Sequence, residues 1–168
     1  MSLMKTVVVY ESMFGNTRDI ARAVAEGLSE WSSVSFADVD GADEHVNADV
    51  SLVVAGGPTH AFSMSRSSTR DDALSRGALS ATHRGLREWI DDIDLDAPVP
   101  LATFDTHVTQ KWVPGSASRS AAKEGRRHGF VPVAAESFYV KSTQGPLTPG
   151  ELDRARTWAR GLRAHVRS

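Results

Sequence analysis

The sequence predicts an α/β domain: a doubly wound, five-stranded parallel sheet in the order 2-1-3-4-5, with helices on both faces. Three observations point there. Short runs rich in β-branched residues alternate with segments of helical period along the chain. The runs are nearly continuous in apolar character, as strands covered on both faces must be. No repeat or linker divides the 168 residues, a length that suits one core. Such a winding opens a ligand crevice beyond the C-terminal ends of strands 1, 3 and 4.

The first strand is Thr6–Tyr10, followed by a turn over Glu11–Gly15. A helix starts near Asn16, where Ile20, Val24 and Leu28 recur every four residues. Val34–Val39 alternates apolar with polar residues, the pattern of an edge strand. Val50–Ala55 reads as a buried strand stopped by Gly56-Gly57-Pro58. Residues 61–82 are rich in Ser, Arg and Asp and have no sustained period; this is long for a loop and points to a segment that is functional, mobile or partly helical. Leu86, Trp89, Ile90 and Ile93 mark a helix, and Val99–Phe104 the strand after it. Residues 105–117 make a second long loop.

A small-residue helix runs from about Ser118 to His128, with Gly129 as its stop. Val131–Val133 and Phe138–Val140 read as two pieces of an interrupted last strand. The final helix has a start signal: Thr148 as cap, Pro149 at its first position and Glu151 completing a capping box. Its buried stripe is Leu152, Ala155, Ala159, Leu162 and Val166. Met1-Ser2-Leu3 precede a second methionine and read as an added extension, which places the single domain at 4–168.

Composition narrows the chemistry. Cysteine is absent, which excludes disulfides, thiolate metal sites, iron–sulfur clusters and cysteine nucleophiles. Redox work therefore needs an external cofactor. The histidines (His45, His60, His83, His107, His128 and His165) show no paired ligand spacing, so no metal is expected. The apolar runs fall far short of a membrane span, and no basic start leads into an apolar stretch. A cytoplasmic protein without a membrane partner is the expectation. The net charge of −2 argues against a nucleic-acid partner. The charge is uneven, however: residues 1–65 carry 3 basic and 9 acidic side chains, and residues 119–168 carry 10 and 4. The basic third is either a solvated helix face or a docking face for an acidic partner.

Three segments carry the candidate chemistry, one at each expected strand end. The first is Ser12-Met13-Phe14-Gly15-Asn16-Thr17, between strand 1 and the first helix. A helix start offers unpaired N–H groups and the positive end of the helix dipole. Ser12 and Thr17 add hydroxyl donors, and Gly15 allows close backbone approach. Such a loop can surround a phosphate without Lys or Arg. The second segment holds Pro58, Thr59, His60 and Phe62. The third holds Thr103, Phe104, Asp105 and His107, with Trp112 further on.

The string SMFGNT resembles the phosphate loop of the flavodoxin family, Ser/Thr-x-x-Gly-x-Thr at the end of strand 1. It is most similar to the variant in flavodiiron proteins and in quinone reductases related to the tryptophan-repressor-binding protein. Phe14 departs from the hydroxyl residue common in flavodoxins, which shifts the work to backbone N–H groups. The resemblance covers nearly the whole chain and implies flavin mononucleotide (FMN) as cofactor. It implies that Pro58 and Thr59 touch the isoalloxazine ring, with His60 and Phe62 as candidate walls. It implies that His107 or Trp112 stacks on the other side and that Asp105 accepts from the ring or ribityl chain.

Rival α/β sites lack their signatures. There is no G-x-G-x-x-G after strand 1, no Walker Lys and no G-x-S-x-G elbow. A receiver domain needs clustered acids where strand 3 ends in Gly-Gly-Pro. Within the flavin reading, an electron shuttle between redox partner proteins competes with a reductase that takes electrons from a nicotinamide and passes them to a small-molecule acceptor such as a quinone. Shuttles tend to be strongly acidic; this chain is nearly neutral, which leaves the two close. A third reading is a flavodoxin-fold interaction module that has lost the flavin. Oligomeric state is open.

Overall fold

The computed structural model describes residues 3–59, 64–65, 70, 85–108 and 116–166. The elements in chain order are β1 (Lys5–Tyr10), α1 (Asn16–Leu28), β2 (Ser33–Asp38), β3 (His45–Val46), β4 (Leu52–Pro58), α2 (Leu86–Asp92), β5 (Asp94–Leu95), β6 (Val99–Val108), α3 (Ala117–Arg127), β7 (Phe130–Val140) and α4 (Glu151–Gly161), the last continued by a 3₁₀ turn over Leu162–His165. The five long strands form one parallel sheet ordered β2-β1-β4-β6-β7. With the two-residue pair β3 and β5 set aside, this is the 2-1-3-4-5 winding. The small pair was not legible in the sequence, being too short to show a period.

Strand alternation sends neighbouring side chains to opposite layers. Val8, Leu52, Val54 and Phe104 pack under α1 and α4, against Ile20, Val24, Ala155 and Ala159. Val9, Val53, Ala55 and Leu101 pack under α2 and α3, against Leu86, Trp89, Ile90 and Ala121. Helices therefore cover both faces. Small residues set the close contacts: a Cβ on Gly27 would lie 2.5 Å from the Arg156 carbonyl oxygen, so only glycine lets α1 approach α4 this closely. No helix among the described residues is long and apolar enough to cross a membrane.

Four local expectations are corrected. β4 does not stop at Ala55 but runs through Gly56-Gly57-Pro58, because the glycines there serve packing and not a turn. A Cβ on Gly56 would sit 2.1 Å from Phe104 Cζ, inside the ring of the neighbouring strand. β6 likewise continues to Val108, paired throughout with β7, so residues 105–108 are strand and not loop. The last strand is continuous over Phe130–Val140; its irregularity is a single register shift opposite Leu101 and Ala102. Pro132, which has no N–H to donate, sits beside that shift on an edge strand, where a lost ladder bond is tolerated.

The capping box of the last helix is not formed. Gly150, in the left-handed region at φ 87°, is the N-cap. The Glu151 carboxylate instead accepts from the Tyr139 N–H at 2.7 Å and pairs with Arg154. Arg154 holds that carboxylate below its ordinary pKa. Other basic side chains of the C-terminal third are also neutralised internally: Arg156 by Glu26 and Asp153, Arg160 by Glu30, Arg127 by Glu124.

Candidate functional site

The sheet makes a step where β1 ends. Tyr10 is in register with Gly56, Gly56 with Phe104, and Phe104 with Glu136. Beyond that line β1 turns into α1, while β4 continues to Pro58, β6 to Val108 and β7 to Val140. At about 3.3 Å per residue, β6 overhangs the start of α1 by roughly 13 Å. The overhang faces the helix N-terminus.

A cleft opens in this step, lined by Met13, Phe14, Asn16, Thr17, Pro58, Thr59, Thr106, Val108, Val140 and Thr143. Its cavity volume is about 50 Å³, and it opens to solvent at its mouth. One end is polar. Gly15 is the N-cap of α1 at φ 92°, a conformation that favours glycine, and its N–H donates to Ser12 Oγ at 3.2 Å. The first intrahelical bond runs from Asp19 N–H to Gly15 C=O, so the N–H groups of Asn16, Thr17 and Arg18 have no partner within the helix. Thr17, 2% exposed, places its Oγ1 2.8 Å from Thr106 Oγ1. The rest of the lining is largely apolar, with Met13, Phe14, Pro58, Val108 and Val140 as walls.

Ser12 is not part of the lining but immediately precedes Met13, the first lining residue; it accepts from Gly15, so its own proton stays available. If Thr106 donates to Thr17, the Thr17 proton is available too. Two hydroxyl donors and a fan of amides at a positive helix end suit a phosphate monoester, and the apolar end suits a flat ring. The residues present fit FMN.

The segment 141–147 closes the cleft from the far side, a feature the sequence reading missed. Val140 and Leu147 form an antiparallel bridge, and Lys141 N–H donates to the Pro146 carbonyl. Gly145, at φ 105°, packs on the Asn16 side chain so tightly that a Cβ would fall 2.8 Å from Asn16 Oδ1. Thr106, Val108, Val140 and Thr143 were not among the expected site residues. Thr106 carried a weak signal as a hydroxyl residue near a strand end.

Other expected residues lie elsewhere. Phe104 is fully buried against Gly56, Phe138 and Trp158. Thr103 and Asp105 point to the opposite layer from Thr106. Thr103 Oγ1 donates to the Ser118 carbonyl, and Asp105 Oδ2 accepts from Ser118 N–H at 2.9 Å in the first turn of α3. Asp105 Oδ1 is buried and has no hydrogen-bond partner among the described residues. His107 stands beside Tyr139, ring centroids 6.5 Å apart, and does not line the cleft. Thr59 has a second task, its Oγ1 accepting from Ala117 N–H. His60, Phe62 and Trp112 lie outside the described residues.

Immediately before the loop, Glu11 is buried and ties three segments together. Its carboxylate accepts from the Ser65 hydroxyl and, at 2.8 Å, from Leu86 N–H at the start of α2. Arg70 donates to Ser65 Oγ and pairs with Glu88 at 2.6 Å. Burial pushes the Glu11 carboxyl above its ordinary pKa, against the pull of Ser65, Leu86 and Arg70. Gly85 has no room for a side chain, since a Cβ there would meet Arg70, Ser65 and Glu11 within 2.8 Å.

No family model and no curated protein matches the chain. Solved structures do. A flavodoxin from the domain Archaea is 16% identical, with 96% of this chain and 98% of that one covered at a TM-score of 0.63. The flavodoxin, WrbA-like protein from Agrobacterium tumefaciens is 19% identical, with 96% of each covered at 0.59. Oxidised flavodoxin 2 from Bacillus cereus is 17% identical, with 96% and 99% covered at 0.61.

Proposed function

We propose that this chain, which has a flavodoxin-like fold, binds FMN by its phosphate at the start of α1 and serves in electron transfer. The observation that carries this reading is the Thr17–Thr106 hydroxyl pair beneath the first turn of α1, opening into an apolar cleft. The flavin, when bound, supplies one- and two-electron chemistry. The chain's own residues bind and orient. Amides of Asn16 and Thr17 and the hydroxyls of Ser12 and Thr17 hold the phosphate. Pro58, Thr59 and Val108 flank the ring and keep water from one side of it.

Among the described residues no Lys or Arg lines the cleft, so affinity rests on neutral donors in a partly buried site. Binding should therefore depend only weakly on salt. The test is a fluorescence-quenching titration with FMN, riboflavin and FAD. Preference for FMN supports the reading. Equal affinity for riboflavin counts against a phosphate site at α1, and no affinity for any flavin leaves an interaction module. Anaerobic photoreduction of the loaded protein, followed by nicotinamides and a quinone, then separates shuttle from reductase.

A further inference from the structure

On the α2–α3 side of the sheet, away from the cleft, three ligand-type side chains converge. Asp91 stands in the last turn of α2. Glu124 and His128 are one turn apart at the end of α3, a spacing that puts both on one helix face. His128 Nε2 lies 3.2 Å from Asp91 Oδ1 and 3.4 Å from Glu124 Oε1. One donor atom from each residue falls within 4.8 Å of the others. We propose that Asp91, Glu124 and His128 form a binding site for a divalent transition-metal ion of the zinc type, clasping α2 to α3.

The separations carry the argument. An ion bound at roughly 2.0–2.2 Å from nitrogen and oxygen ligands sets neighbouring ligands about 3.0–3.5 Å apart, from an octahedral to a tetrahedral edge. Both His128 pairs already have those lengths, and the two carboxylates lie within 4.8 Å of each other, so an ion would need to draw in the carboxylate pair at most. Charge points the same way. Two carboxylates face one imidazole, with Arg127, 3.8 Å from Glu124, a further cation beside the group. An imidazole with two carboxylates selects zinc, cobalt or nickel over magnesium or calcium, which prefer all-oxygen sets.

His45 makes a useful contrast. Asp94 and Asp96 meet its two different ring nitrogens, at 2.9 and 3.1 Å, so one ion cannot take both pairs. The triad was hidden in the sequence because its third ligand is 33 positions from Glu124 and only one member is a histidine.

The experiment is calorimetric titration of the full chain with zinc sulfate, with magnesium and calcium chloride as comparators, on wild type, His128→Ala, Glu124→Gln and His45→Ala. The expected result is one zinc ion per chain and no competition from magnesium or calcium. His128→Ala and Glu124→Gln should each weaken binding at least tenfold, roughly the minimum lost even when an outer-shell partner is removed. His45→Ala should bind as wild type. Thermal melts of the same proteins should rise with zinc for wild type and His45→Ala alone. Absent zinc binding, or binding unchanged in His128→Ala, overturns the proposal.

Discussion

Removing one hydroxyl tests how the cleft would hold an anion. In Thr17→Ala the amides of the first turn remain, and a single donor to a charged acceptor is lost. Such a loss is about 1–3 kcal/mol, or roughly 5- to 160-fold in the dissociation constant for FMN. Thr106→Val keeps the shape but removes the hydroxyl 2.8 Å behind Thr17. The Thr106 hydroxyl is already engaged with Thr17, so the cost of its loss to FMN binding should be smaller, about 1 kcal/mol. In the double variant, Thr106→Val should add less than about 0.5 kcal/mol to the loss from Thr17→Ala, because the residue it supports is gone. Quenching titrations at fixed salt measure the four FMN affinities, and riboflavin, lacking the phosphate, serves as control. Urea unfolding of each apoprotein separates lost stability from lost binding. Unchanged FMN affinity in Thr17→Ala, or an equal loss for riboflavin, would show that Thr17 does not face a phosphate.

Other consequences are as direct. Gly56→Ala drives a methyl into the Phe104 ring and should destabilise by about 3 kcal/mol or more; Phe104→Leu in the same chain should recover part of it, read from urea midpoints. Glu151 is held below its ordinary pKa by Arg154, so it binds fewer protons folded than unfolded, and its contribution is present above about pH 4.5 and lost as pH falls through the folded value. Glu151→Gln should therefore lower stability at pH 7 and flatten the acid limb of the stability–pH curve; an unaltered limb would remove the pair from the account. Asp105→Ala leaves Ser118 N–H without its acceptor and should cost about 1–2 kcal/mol of stability. Since Asp105 faces α3 and not the cleft, FMN affinity should stay the same, and a tenfold loss there would place Asp105 in the site after all.

The fold was legible where local signals and tertiary demands agree. The period of Ile20, Val24 and Leu28 yields α1 with those residues fully buried, and Gly129 does end α3, at φ 100°. It was misread where a residue's reason lies across the sheet. Gly56-Gly57-Pro58 has the composition of a turn, yet Gly56 is glycine because a phenylalanine 48 positions later occupies the space of its side chain. Asp105, Thr106 and His107 look too polar for a strand. In the structure two of those polar groups have partners on opposite faces of the same strand, Ser118 for Asp105 and Thr17 for Thr106. Glu151 makes a plausible capping box until the edge-strand N–H of Tyr139 competes for its carboxylate and wins.

The candidate site divides along the same line. Ser12, Gly15 and Thr17 were legible because a helix start, a positive-φ glycine and hydroxyl spacing are properties of six consecutive residues. The rest of the cleft depends on how far each strand runs past Tyr10, and no local pattern encodes that length. Thr106 meets Thr17 because β6 continues past Phe104, the residue aligned with Gly56 and so with the end of β1. Val108 and Val140 become walls because β6 and β7 stay paired out to that register. Thr143 enters because Gly145 can lie against Asn16. The polar part of the cleft is thus a local device, while its apolar part is built by strand pairing. A substitution that shortens the β6–β7 ladder should therefore weaken binding of FMN and riboflavin alike, whereas one at Thr17 should distinguish them.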